Sequence, residues 1–131
     1  MKKAVLLLIL TACFCFAAYD TSAQTKQRVR FAAGTSGATV KGTVRGFAYK
    51  DYIVKASAGQ TIDVKLASAN TSSVLTVFLP NGDNLEGAAE MDDFTGELPA
   101  SGDYVIRVGM MRAEARRPRS ISNYTLRISI R

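Results

Sequence analysis

The sequence predicts an all-β protein: a small antiparallel β-sandwich of about eight strands, with a long Arg-rich loop between the last two strands. Two observations carry this fold class. Apolar and polar residues alternate with a period of two along most of the chain after residue 27, the pattern of strands with one face in a core and one in water. Between the alternating runs sit Ala58-Gly59, Pro80-Asn81-Gly82-Asp83 and Pro99-Ala100-Ser101-Gly102, residues that tolerate tight reversals.

Residues 1–23 read as a secretory signal peptide. Lys2 and Lys3 make a basic start, Ala4 to Ala18 an apolar stretch, and Thr21-Ser22-Ala23 a small-residue cleavage site before Gln24. The apolar stretch is shorter than the roughly 20 residues that cross a bilayer, so no transmembrane segment is expected in the mature chain. Leu10-Thr11-Ala12-Cys13 partly fits the pattern at which lipoproteins are cut and acylated. Phe14 to Ala18 continue the apolar stretch, however, and place Cys13 inside it, so cleavage after Ala23 is the first reading and lipid anchoring at Cys13 the second. Residues 24–131 are then one domain without cysteine, histidine or tryptophan, whose stability rests on packing and not on disulfides.

Strands are expected over residues 27–32, 39–47, 49–56, 61–66, 74–79, 94–98, 103–108 and 124–131. Ile62, Val64 and Leu66 share one apolar face, as do Tyr104, Ile106 and Val108, and Tyr124, Leu126, Ile128 and Ile130. Residues 74–79 are apolar on both faces and are expected at the centre of a sheet. Gly34, Gly37, Gly42 and Gly46 are scattered through strand-like sequence, as at bulges or turns, and form no phosphate-cradling loop.

The connection 109–121 is too long for an ordinary hairpin and carries Arg112, Arg116, Arg117 and Arg119. Residues 110–117 favour helix until Pro118 ends it, and one helical turn puts Arg112 and Arg116 on the same face. Four arginines in one loop leave two readings open, a binding surface and a solvated basic loop. An opposite bias precedes it in Asp83, Glu86, Glu90, Asp92 and Asp93. Their spacing matches no cation-binding loop, and a solvated acidic segment is the expectation.

Without histidine or cysteine the mature chain has no Ser-His or Cys-His nucleophile pair and no ordinary zinc site. Its carboxylates cluster in one segment with no sign of the apolar pocket that raises a catalytic pKa, so no enzyme and no cofactor are expected. The 17 basic and 11 acidic residues give a net charge of +6. Removing Lys2, Lys3 and Asp20 leaves +5, which suits an acidic partner. Nucleic acid is not expected for an exported protein with few aromatics free for base stacking.

Two stretches carry a resemblance: Thr35 to Leu66, TSGATVKGTVRGFAYKDYIVKASAGQTIDVKL, and Leu98 to Ile130, LPASGDYVIRVGMMRAEARRPRSISNYTLRISI. Together they resemble the periplasmic inhibitors of g-type (goose-type) lysozyme. Their frame is also similar to bacterial pre-peptidase C-terminal-like β-sandwich domains, whereas the GFAYKDY segment and the Arg112-x-x-x-Arg116 spacing point to the inhibitors. The resemblance implies a periplasmic protein that inserts loops into the carboxylate-lined cleft of a g-type lysozyme and so protects peptidoglycan; the sequence leaves monomer and dimer open, with a monomer as the first reading. The alternative is a non-catalytic carbohydrate-binding or cell-surface module.

For the site, the resemblance implies Arg112 and Arg116 as ion-pairing inserts and Tyr49 as an aromatic anchor. Ser101-Gly102-Asp103-Tyr104 matches an S-G-x-Y motif of lysozyme inhibitors, which adds Ser101, Gly102 and Tyr104. Tyr104 shares a strand face with Ile106 and Val108, and is also expected to pack in the core.

Overall fold

The computed structural model describes residues 24–131, which form two four-stranded sheets packed face to face. β1 (Gln24–Arg28), β3 (Tyr49–Ala56), β7 (Gly102–Met110) and β5 (Ser73–Phe78) make one sheet in that order. β2 (Gly37–Arg45), β8 (Ile121–Ile130), β4 (Thr61–Ser68) and β6 (Asp93–Glu97) make the other. Every connection therefore crosses from one sheet to its partner. All neighbours pair antiparallel except β1, which runs parallel to β3. The expected signal over residues 1–23, with Cys13, lies outside the described residues. No helix among the described residues is long and apolar enough to cross a membrane.

The alternation read from the sequence becomes the core. Tyr104, Ile106 and Val108 from β7 meet Leu126 and Ile128 from β8 and Ile62 and Val64 from β4, all at 1 % exposure or less. Each such aliphatic side chain contributes about 1.5–3 kcal/mol by leaving water. Tyr52 and Tyr124 meet across the sandwich, edge to face, with their hydroxyls 2.7 Å apart. That contact satisfies two polar groups that burial would otherwise penalise, and it fills the space above Gly42, where any side chain would collide with both hydroxyls.

Two expectations change. Residues 74–79 were expected at a sheet centre, yet β5 lies at an edge. The acidic segment covers that edge: Leu75 and Met91 exchange both backbone hydrogen bonds, and the Val77 and Leu85 N–H groups donate to Ala88 and Val77 carbonyls. Leu85 and Ala88 are buried against the core, so this edge is sealed by chain and not by charge. The first strand occupies residues 24–28 where 27–32 was expected, because its partner is Tyr49 to Ile53 in parallel register.

Candidate functional site

β7 spans nine residues, roughly 27 Å, and divides the surface of the sandwich into two ends. At one end β2 closes and β3 opens, β4 closes and β5 opens, and β7 closes and β8 opens. Three connections therefore cluster there: residues 46–48, 69–72 and 111–120.

The longest of the three holds the arginines. α1 (Arg112–Ala115) is a single helical turn, shorter than the 110–117 expected, and Arg116 ends it by donating its N–H to the Arg112 carbonyl at 3.1 Å. Arg112 and Arg116 thus stand one turn apart, both exposed. Among the described residues neither has an ion-pair partner; Arg117 pairs with Glu114 at 3.5 Å. Arg119 adopts a left-handed backbone (φ 62°), a conformation that costs a non-glycine residue about 1 kcal/mol or more and turns the chain into β8.

The loop is held from beneath. Ala115 and Ser120 are buried, and the Met111 N–H donates to the Ser72 carbonyl. Asn70 donates its side-chain N–H to the Ile121 carbonyl at 3.0 Å and to Glu114 Oε1 at 3.3 Å, while its Oδ1 accepts from the Ser72 N–H. The Gly46 N–H donates to the Ser120 carbonyl, so the 46–48 turn is fastened to the arginine loop.

That turn was expected inside a strand running to residue 47. Instead β2 stops at Arg45, the Ala48 N–H closes a turn onto the Arg45 carbonyl, and Phe47 projects into solvent at 64 % exposure. Met111, at 44 %, is a second exposed apolar side chain at this end. Tyr49 follows as the first residue of β3. It is half-buried on the outer sheet face, its ring centroid 3.9 Å from the Arg107 guanidinium carbon.

The S-G-x-Y motif lies at the opposite end, where β7 begins. Tyr104 is fully buried; its hydroxyl donates to the Ala100 carbonyl at 2.6 Å and accepts from the Ala100 N–H at 3.1 Å, so it offers no surface to a partner. Gly102 has φ 142°, a region that favours glycine, and packs against Pro80. Ser101 Oγ accepts the Ala58 N–H at 2.8 Å and ties two turns together. The length of β7 separates Ser101 from Arg112. The acidic segment is also apart: among the described residues none of its carboxylates pairs with the arginine loop, and no group of three or more metal-binding side chains forms.

No family model matches the sequence. The crystal structure of the periplasmic inhibitor of g-type lysozyme from Aeromonas hydrophila is similar with a TM-score of 0.72 and 36% identity, over 82% of this chain and 97% of that one. This chain belongs to the family of g-type lysozyme inhibitors. The inhibitor of g-type lysozyme from Escherichia coli K12 is 29% identical over 139 residues, which cover 100% of this chain and 96% of the relative. A pre-peptidase C-terminal domain of a Bacillus anthracis collagenase is a more distant structural neighbour, at 13% identity and a TM-score of 0.49. Lysozyme inhibitors are non-catalytic proteins, and this chain is not an enzyme.

Within this family member, sequence reasoning missed Phe47 and Arg107. An aromatic directly after glycine in GFAYKDY is the signal that could have marked Phe47 as a turn residue. Arg107 sits at a polar position of an alternating run and had no signal of its own, because the chain order does not show which strand lies beside β7.

Proposed function

We propose that this protein acts in the periplasm as an inhibitor of g-type lysozyme, inserting the arginine end of the sandwich into the carboxylate-lined substrate cleft and so protecting peptidoglycan. The observation that carries the reading is the juxtaposition of Arg112 and Arg116, exposed and one helical turn apart, with Phe47 and Met111 at the same end. Guanidinium groups pair with carboxylates in bidentate fashion, and exposed aromatics that fill a pocket supply much of the affinity in protein complexes. Two cations that bind the acid groups of a glycosidase would occupy the positions its catalysis requires, while Phe47 and Met111 exclude water and substrate.

In this reading Tyr49 is a further contact, residues 1–23 are the secretory signal, residues 24–131 are the working domain, and the inhibitor acts as a monomer. Ser101, Gly102 and Tyr104 act by shaping the far end of the fold. The test is lysis of peptidoglycan by g-type, c-type and i-type lysozymes with and without the purified protein. Loss of g-type activity alone is the expected result; undiminished g-type activity at saturating protein would overturn the proposal.

A further inference from the structure

The outer face of the β1-β3-β7-β5 sheet holds a charge that water does not stabilise. Asp51 is 4 % exposed, although its position in the alternation of β3 faces outward. A carboxylate is tolerated there only when paired and hydrogen-bonded. Its partner is the residue directly opposite in register, Arg107 of β7. Arg107 Nε donates to Asp51 Oδ1 at 2.8 Å and Nη2 donates to Oδ2 at 3.0 Å, a two-point pairing that fixes both the position and the plane of the guanidinium.

Two aromatic rings use that fixed plane. The guanidinium carbon lies 3.9 Å from the Tyr49 ring centroid and 4.9 Å from that of Phe78, both within the range of cation–π attraction. Tyr49 therefore rests on a cation that is itself tied to a buried anion. A tyrosine at the first residue of a strand would otherwise sample its rotamers, and a partner would have to immobilise it on binding.

We infer that Asp51 and Arg107 are positioning residues that lock the Tyr49 ring in its binding conformation before lysozyme is met. The inference rests on the proposed role of Tyr49 in inhibition and deepens it. It also links the two stretches that carry the resemblance: GFAYKDY, from the first, supplies Tyr49 and Asp51, and DYVIRV, from the second, supplies the arginine that joins them. Lysine at 107 keeps the charge but neither the planar fork nor the stack.

The experiment is a double-mutant cycle on the inhibition constant for g-type lysozyme with Arg107→Lys and Tyr49→Ala, alone and together, and thermal melts of every variant. Arg107→Lys is expected to weaken inhibition about three- to tenfold when Tyr49 is present and not at all when it is alanine. A merely structural Arg107 would weaken both backgrounds equally, and that additive result overturns the inference, as does no effect in either. If Arg107→Lys fails to fold, Phe78→Leu removes one of the two ring contacts and is judged by the same dependence on Tyr49. Full inhibition by Tyr49→Ala alone removes the proposed role of Tyr49 and the inference with it. A loss with Tyr49→Ala and additive behaviour at 107 removes only the inference.

Discussion

Replacing Arg112 and Arg116 together with alanine separates function from folding. Both side chains are exposed, Arg112 at the start of α1 and Arg116 at its C-cap, and neither has an ion pair among the described residues. The loop beneath them is held by Asn70, Ala115 and Ser120, which the substitution leaves in place. Surface changes of this kind alter stability by about 0.5 kcal/mol or less, which moves Tm by under about 4 °C in a domain of this size. In the complex each arginine is expected to make charge-assisted hydrogen bonds worth about 1.5–3 kcal/mol, so the pair contributes about 3–6 kcal/mol. At 1.4 kcal/mol per tenfold, the inhibition constant rises about a hundredfold to ten-thousandfold. Arg117→Ala serves as the control, since that side chain already pairs with Glu114 at the surface. The assay is residual g-type lysozyme activity against inhibitor concentration, with a melt of each variant. An unchanged inhibition constant, or a loss of inhibition that tracks a fall in Tm, would refute the reasoning.

Three further outcomes follow from the fold. Gly42→Ala places a methyl group against the buried hydroxyls of Tyr52 and Tyr124, and overpacking there is expected to lower unfolding free energy by about 1–3 kcal/mol in a urea titration. Leu126→Ala, at 0 % exposure in β8, is expected to cost about 2–5 kcal/mol by cavity formation, while the protein that remains folded inhibits as before. Burial pushes the Tyr52 and Tyr124 hydroxyls above the ordinary value of 10.0, so the folded state keeps protons that the unfolded chain releases. Stability from these groups is therefore intact below about pH 10 and falls above it by up to about 1.4 kcal/mol per pH unit for each tyrosine, which urea melts between pH 9 and pH 11 would measure. A flat profile would contradict this assignment.

Much of the fold was legible because burial in a sandwich follows the period-two pattern directly. Tyr124, Leu126, Ile128 and Ile130 alternate in the sequence and line one buried face in β8. The place of a strand within its sheet was not legible: residues 74–79 look central because they are apolar on both faces, and only the tertiary structure shows them at an edge that residues 83–91 cover. The same limit hid the Asp51–Arg107 pair, since 56 residues separate partners that strand order alone makes neighbours. The separation of Ser101 from Arg112 was legible in principle, because one unbroken strand lies between them and its two ends cannot coincide. Phe47 escaped because an aromatic in a β-rich context reads as strand, whereas the turn from Arg45 to Ala48 leaves its side chain in water.

Occupation of the substrate cleft by the arginine end is the central claim, and competition measures it most directly. Binding of the protein to g-type lysozyme is titrated at increasing concentrations of an oligosaccharide that fills the cleft. The apparent dissociation constant is expected to rise in proportion to the oligosaccharide, for the wild-type protein and for the Arg117→Ala control alike. A dissociation constant that stays the same when the cleft is saturated would place the contact elsewhere on the enzyme and contradict the claim.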